Sequence, residues 1–474
     1  MAPPIRFGTD GWRGTIAEDF TFDNVRRCTQ GVASFLKKRG MAERGLVVGY
    51  DTRFASEHFA MAVAEVLAGN GIRAYLCQRA TPTPAVSYSI LSRSAAGAIV
   101  ITASHNPPTD NGFKVRSEYG GATAPADLEA IEAEIAVATR WERLAFEEGR
   151  RRGLIEIFDP APDYIQQLQR LIDVSPLRDH HFKIAVDAMW GAGAGWLPRL
   201  LGGGKTRVRE LHGTRHPLFP EMERPEPIPP NLDALQAEVR NTRADLGLAL
   251  DGDADRVGLI DERGEFVTQL QVYALLALYL LEVRGWRGPI VKTLSTTSML
   301  YQLGQLYNVP VYETGVGFKF VAPKMLEVDA LIGGEESGGF AFREHVPERD
   351  GILASLFLLD LMRHFKKTPS QMIEYLYAKV GPHHYDRRDR LFPVEQREAV
   401  ARRLREARPK ALAGLPVTRI VTQDGFKYEL NGGSWLLIRF SGTEPKIRVY
   451  AEAPSPEAVG ALLDEGLGLV GMEG

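Results

Sequence analysis

The pattern that most restricts the fold is an alternation, sustained over most of the chain, of short β-branched runs with amphipathic stretches of helical period. LVVGY at 46–50 is followed by a helical pattern over 55–69, then RAYLC, then GAIVIT at 97–102. Strand, helix, strand in that order predicts parallel sheets covered by helices. The alternation returns at KIAVD (183–187), DLGLALDGD (245–253), PIVKT, VPVYE and DALIGGEE (329–336). These blocks predict three similar α/β domains with mixed, largely parallel sheets. Towards the end the pattern changes to RLFPV, a charged helix over 395–407, VTRIV, FKYEL, SWLLIRF and KIRVYAEA, with a last helix after Pro456. That reads as antiparallel strands with helices, a smaller α+β domain. Breaks at IFDPAP and in the polar segments between Lys366 and Pro382 suggest domains at 1–157, 158–254, 255–370 and 371–474. The Pro-rich run PEMERPEPIPPN (220–231) is expected as a long loop within the second.

Composition limits the partners. Hydrophobic residues at 44% and charged residues at 25% are the balance of a globular chain, not of a disordered or fibrous one. The 57 Lys and Arg against 60 Asp and Glu leave a net charge of −3, so no overall field draws in nucleic acid or an anionic membrane. Any anion site must be local. Cys28 and Cys77 are too few for a disulfide framework or a structural zinc cluster and read as buried small hydrophobes. The start, MAPPIRFGTDGWRG, lacks the apolar stretch of a signal peptide, and the longest apolar run, 272–283, falls short of the ~20 residues of a membrane span. A cytosolic (cytoplasmic) soluble protein is expected, with no nucleic-acid or membrane partner and the oligomeric state left open.

Four polar, glycine-rich segments follow apolar strands, where α/β proteins bind ligands. In ITASHNPPTDNGFKV, Ser104 stands in a turn fixed by Asn106, Pro107 and Pro108, with His105 beside it and Lys114 further on. A hydroxyl, a proton donor and a cation suit phosphoryl chemistry, although a Ser before a His in a loop is usually a turn residue. In DGDADR, Asp251, Asp253 and Asp255 at i, i+2 and i+4 can converge on a hard divalent cation. Without the Gly and Glu of an EF-hand, the spacing suits Mg2+ better than Ca2+. The alternative is a solvated acidic turn whose mutually repelling carboxylates need Arg256 as counter-charge. GGEESGG (333–339) offers carboxylate and hydroxyl groups to a sugar, or is a plain turn. In RFSGTEPKIRVY (439–450), Arg439, Ser441, Thr443 and Arg448 surround a glycine turn whose amides can face an anion; otherwise it is a hairpin with surface arginines.

Taken in order, FGTDGWRG, TASHNP, DGDADR, GEESGG and RFSGTEPKIRVY resemble the alpha-D-phosphohexomutase superfamily, over essentially the whole chain from Phe7 to Tyr450. The resemblance implies an isomerase of phosphoglucomutase/phosphomannomutase type. Such an enzyme interconverts sugar 1-phosphates and 6-phosphates through a phosphoserine and a hexose 1,6-bisphosphate, in a cleft where four domains meet. It implies Ser104 as the phosphorylated residue, and Asp251, Asp253 and Asp255 as Mg2+ ligands together with the phosphate on Ser104. Arg13, His105 and Lys114 are implied around the phosphoserine, with Arg256 following the metal loop. Gly317 of TGVGFKF and the pair Glu335 and Ser337 are implied at the sugar. Arg439, Ser441, Gly442, Thr443 and Arg448 are implied at the phosphate that is not being transferred.

Two departures stand out. Mannose/glucose-type bacterial members carry GEMSGH and glucosamine-type members usually end that loop in His, where this chain has Gly339; its GEES form is closer to glucose-type members. The lysine that some glucose-type members place before an Asp-Gly pair is here Arg349, in ERDG, which is counted with the substrate-binding residues. An arginine is too basic to accept a proton, which leaves that part to His345 or a water. A phosphoserine adds roughly −1.5 to −2 charge beside three carboxylates, so the divalent ion would be essential. Glucose phosphates are the expected substrates, with mannose phosphates after them. The alternatives are a phosphoglucosamine mutase, since the phosphate loop also resembles that group's, a sugar-phosphate sensor without catalysis, and a phosphatase using the Asp cluster as nucleophile.

Overall fold

The computed structural model describes residues 5–8, 10–441 and 445–472. The first sheet has the order β1 (Trp12–Thr15), β5 (Asp110–Arg116), β4 (Ala98–Ile101), β2 (Leu46–Tyr50), β3 (Ala74–Cys77), β6 (Ile155–Phe158). Strands β4, β2, β3 and β6 run parallel, and β5 and β1 are added antiparallel at the β4 edge. The helices between them carry one apolar stripe each. Phe22–Lys38 starts where the Thr21 side chain accepts from the Asn24 amide, and it buries Val25, Cys28, Val32 and Leu36 at helical spacing.

The second sheet has the order β11 (Phe266–Val267), β10 (Val257–Ile260), β9 (Leu246–Leu250), β7 (Lys183–Asp187), β8 (Arg207–Leu211). Strands β9, β7 and β8 are parallel, while β10 and β11 fold back antiparallel. The expected division after Ala254 cuts this sheet in two and is corrected to a point beyond Val267. Two very short return strands directly after a polar loop give no compositional break to read. The run 220–231 is a loop of this domain, and the Pro227 carbonyl in it accepts from Gln269 Nε2 at 3.1 Å.

The third sheet has the order β13 (Val311–Thr314), β12 (Ile290–Thr293), β14 (Ile332–Gly334), β15 (Phe340–Phe342), with only β15 antiparallel. The expected division at 370 falls inside the helix Pro369–Val380, begun by a capping box between Thr368 and Gln371. Its Met372, Leu376 and Val380 lie in the core of the third domain, so the boundary moves past Val380. The fourth sheet is wholly antiparallel, in the order β16 (His384–Leu391), β21 (Lys446–Ala453), β20 (Trp435–Phe440), β19 (Phe426–Leu430), β18 (Leu415–Val421), β17 (Ala411–Leu412).

The first and fourth domains have cores of their own. The second and third share one: Leu168, Leu197 and Leu248 belong to the same cluster as Tyr273, Leu300 and Phe357. The helix Gln269–Leu278 and the π turn Tyr279–Val283 run through this shared core, which accounts for the run 272–283, apolar but for Glu282. Among the described residues no helix is long and apolar enough to cross a membrane.

Candidate active site

Three loops bearing candidate residues leave the carboxyl ends of parallel strands: Ser104 after β4, Asp251 after β9 and Glu335 after β14. They meet across domains. Ser104 Oγ donates to Asp251 Oδ2 at 2.7 Å and lies 3.2 Å from His105 Nδ1. Ser104 has φ +51°, in the left-handed region that residues with a side chain seldom adopt. Neighbours hold it there, since its amide donates to Thr102 Oγ1 at 2.8 Å and its carbonyl accepts from Arg53 Nη2 at 2.6 Å. Gly252 permits the close approach of the two loops, because a Cβ on it would collide with the Ser104 carbonyl oxygen.

Asp251, Asp253 and Asp255 are all fully buried, with one carboxylate oxygen of each within 4.8 Å of the others. This is no solvated turn. Asp253 Oδ2 accepts from Thr83 Oγ1 at 2.6 Å and from Lys114 Nζ at 2.8 Å; Asp255 Oδ2 lies 2.6 Å from Arg349 Nη2. Asp253 Oδ1 and Asp255 Oδ1 are buried with no hydrogen-bond partner. Unsatisfied buried carboxylate oxygens are costly, and a hard divalent cation such as Mg2+ is what this donor set fits. Burial and the neighbouring Asp255 and Asp253 push the Asp251 carboxyl well above the usual range. Burial also opposes charge on Asp253, but Lys114 outweighs it and holds that carboxyl down.

Around the acidic loop stands a set of cations with one hub the motif reading missed. Asp10 accepts from Lys114 Nζ at 2.7 Å, Arg116 Nη2 at 2.9 Å and Arg349 Nη2 at 2.7 Å. Burial works against its charge, yet these three cations keep the carboxyl well below its ordinary range. Arg256 donates its amide to Asp251 Oδ1 at 3.1 Å and pairs through Nη1 with Glu226 at 3.2 Å. Arg13 Nη1 donates to the Asn106 side-chain oxygen, on the Ser104 loop. Burial, then Arg256 and Arg13, hold the His105 imidazole well below its ordinary value, so it is neutral at pH 7.

From the third domain, Arg349 reaches Asp10, Asp255 and, through Nη1, Glu335 at 3.2 Å. Burial raises the Glu335 carboxyl and Arg349 opposes the rise. Ser337 is half-buried in the same turn. Gly317, at φ +127°, precedes the helix Phe318–Val328, whose Lys319, another residue the motif reading missed, reaches the Gly8 carbonyl at 3.5 Å. His345 does not suit the part of a base. Its Nε2 is 2.9 Å from Asp350 Oδ2, its Nδ1 is 3.4 Å from Gln167 Nε2, and its side chain is fully buried. It braces Asp350, which accepts from the Leu353 amide at 2.8 Å to cap the helix Gly351–Phe365.

In the fourth domain Arg439 and Arg448 are direct cross-strand partners on β20 and β21. Like charges so placed repel unless an anion lies between or beside them. Here Arg439 Nε is 3.2 Å from Asp424 Oδ1, and Arg448 Nε is 3.5 Å from Asp389 Oδ2. Asp424 Oδ2 also accepts from the Val316 amide at 2.7 Å, beside Gly317, and Glu336 accepts from Arg387 at 3.0 Å and Tyr385 at 2.7 Å. Two carboxylates therefore join the fourth domain to the loops that carry Gly317 and Glu335. Ser441 is buried, its amide donating to the Lys446 carbonyl at 2.9 Å; Gly442 and Thr443 lie outside the described residues.

Family models for phosphoglucomutase/phosphomannomutase match along the chain: alpha/beta/alpha domain I at residues 4–140, domain II at 162–264, domain III at 269–380 and the C-terminal domain at 392–467. The chain belongs to the phosphoglucomutase/phosphomannomutase family. It is 32% identical to a phosphoglucomutase/phosphomannomutase of Thermococcus kodakarensis, over 98% of each chain. It is 28% identical to a phosphoglucosamine/phosphogalactosamine mutase of Sulfurisphaera tokodaii, over 97% of each. A solved structure from Thermus thermophilus, provisionally classed as a phosphomannomutase, is 38% identical with a TM-score of 0.86, covering 99% of this chain and all of its own. The protein is thus a phosphohexomutase, an enzyme of isomerase type, with the mixed α/β domains and antiparallel C-terminal domain of its relatives.

Proposed function

We propose that this phosphohexomutase moves a phosphoryl group between O1 and O6 of a hexose by way of Ser104, with glucose 1-phosphate and glucose 6-phosphate as the preferred pair and mannose phosphates as further substrates. The observation that carries the reading is Ser104 Oγ, 2.7 Å from Asp251 in a buried loop whose other two carboxylates each keep an oxygen without a hydrogen bond. Asp251, Asp253, Asp255 and the phosphate on Ser104 would hold Mg2+, which when bound draws charge from the transferring phosphoryl group. Lys114, fixed between Asp10 and Asp253, adds a positive charge that needs no rearrangement during the reaction. In the resting site the serine proton points at Asp251; when Ser104 is phosphorylated that proton turns to the neutral His105, whose Nδ1 is 3.2 Å from Ser104 Oγ, and it is returned when Ser104 leaves.

One serine has to serve both ends of the sugar, so a hexose 1,6-bisphosphate formed in the cleft turns end for end between two transfers. Glu335 and Ser337 hold sugar hydroxyls, and Arg439 and Arg448 hold whichever phosphate is distal. Arg349 stays charged and orients Glu335, and with His345 committed to Asp350 a water accepts the sugar proton. Two buried, unpaired cysteines suit a cytosolic setting.

The GEES loop favours glucose phosphates, while the relative from Sulfurisphaera tokodaii supports a second reading as a phosphoglucosamine mutase. Side-by-side kcat/KM values on glucose, mannose, glucosamine and N-acetylglucosamine 1-phosphates decide between them. The glucose reading predicts the highest value for glucose 1-phosphate; a glucosamine 1-phosphate value tenfold above it overturns that preference.

A further inference from the structure

We infer that Arg53 is the positioning residue of the phosphoserine loop, an inference that rests on Ser104 being the phosphoryl carrier. Arg53 stands just past the end of β2, the neighbour of β4 in the first sheet, and its side chain is completely buried. The guanidinium donates to four backbone carbonyls between Ser104 and Asp110, the first residue of β5. Nη2 reaches the Ser104 and Asn106 oxygens, each at 2.6 Å, and Nη1 reaches Pro107 at 2.7 Å and Asp110 at 3.0 Å. Nε lies 3.3 Å from Asp51 Oδ2, and the Asp51 carboxylate also accepts from the Arg53 amide at 2.9 Å and from Ser56 Oγ at 2.9 Å. From the second domain the Phe219 ring closes over the guanidinium, 4.9 Å from its centre.

The loop creates the need that Arg53 meets. Two consecutive prolines remove amide donors, and the left-handed Ser104 turns its carbonyl inward, so several acceptors face one buried point. A planar guanidinium with five donors in a fixed fork can satisfy four carbonyls at once; an ammonium cannot. The carbonyl that Arg53 holds on Ser104 is the atom against which Gly252 of the metal loop packs. Arg53 touches no reacting atom. It fixes the backbone from which Oγ projects, and misplacing a reacting atom by about 1 Å is enough to cost about a hundredfold in rate.

The test uses the full chain with R53Q and R53K, each first checked for folding by thermal unfolding and then assayed at saturating Mg2+. Phosphorylation of Ser104 is followed by intact mass, and transfer from phosphorylated Ser104 to glucose 1-phosphate in a single turnover. In folded R53Q, kcat and the single-turnover rate are expected to fall together by about a hundredfold while KM stays within about threefold of wild type. R53K is expected to lie between, because it satisfies fewer of the four carbonyls. Unchanged kcat in folded R53Q, or a loss carried by KM alone, overturns the inference. Failure of both variants to fold makes Arg53 a core residue and overturns it as well. A wild type that turns over without ever carrying phosphate on Ser104 instead defeats the carrier reading, and this inference with it.

Discussion

Arg349 lies against Gly339, and a Cβ on Gly339 would fall on the Arg349 side-chain stem. The two departures of this chain from the family pattern therefore meet in space. The missing side chain at 339 makes room for the Arg349 stem, whose guanidinium reaches Asp10, Asp255 and Glu335. G339A should overpack this contact, costing about 1–3 kcal/mol of stability and lowering kcat/KM through displacement of Glu335. Adding R349A, which removes the crowded Cγ and Cδ, should relieve the steric cost in stability. Thermal unfolding and kinetics of both single variants and the double variant measure the coupling; additive effects would show the two positions to be independent.

S104A should abolish mutase turnover with little change in melting temperature, since one loop hydroxyl contributes little to the core. Intact mass should show a phosphate-sized increment on wild type and none on the variant. Full turnover by S104A would end the phosphoserine mechanism, and a phosphatase using the Asp cluster would keep its hydrolytic rate.

D253N removes one anionic oxygen from the acidic loop and leaves Lys114 with a weaker partner. Mg2+ titration by calorimetry should show affinity lowered by about tenfold or more, and kcat should fall further than KM rises. Undiminished Mg2+ affinity would exclude Asp253 as a ligand.

R448A should raise KM for glucose 1-phosphate and glucose 6-phosphate alike by about 10- to 100-fold, because an arginine–phosphate contact contributes about 1.5–3 kcal/mol. Kinetics in both directions, with thermal unfolding of the same preparation, check this. A lower melting temperature with both KM values unchanged would assign Arg448 to folding alone.

Glu313 ties the third domain to the fourth: its Oε2 lies 2.8 Å from Lys292 Nζ and 2.6 Å from Lys427 Nζ. Burial opposes its charge, but Lys292 and Lys427 bring the carboxyl down to about 2. Because the folded value lies below the unfolded one, its stabilisation is complete above about pH 5 and is lost as pH falls through 4.5 towards 2. E313Q should therefore be less stable than wild type by up to about 3 kcal/mol at pH 7, a gap that closes as the medium is acidified. Unfolding of both proteins between pH 7 and pH 3 tests this, and a pH-independent gap would refute it.

The loops at the ends of β4, β9 and β14 were legible because each is a polar, glycine-rich segment directly after an apolar run, where the side-chain pattern changes abruptly. Asp10, Thr83, Glu226 and Lys319 were not. Each acts through a partner distant in sequence and usually in another domain, as Thr83 does on Asp253 and Lys319 on Gly8. Nothing local marks a threonine before a proline, or a lone lysine at a helix start, as part of a cluster. His345 failed for the complementary reason: a histidine five residues from Asp350 looks available until Asp350 and Gln167 are seen to occupy both ring nitrogens. The boundary beyond β11 was hidden because strand pairing, and not composition, decides to which sheet two short apolar segments belong.

The core shared by the second and third domains has a thermodynamic consequence. Elements packed into one apolar cluster open together, so these two sheets form a single melting unit. Amide exchange should then report the same opening free energy for the strand leading to Asp251 as for the strand leading to Glu335, although the two are far apart in sequence. Truncating a core residue on either side, Leu248 or Phe357, would slacken both loops at once, so a fault deep in one domain would register as poor metal affinity and poor sugar affinity together.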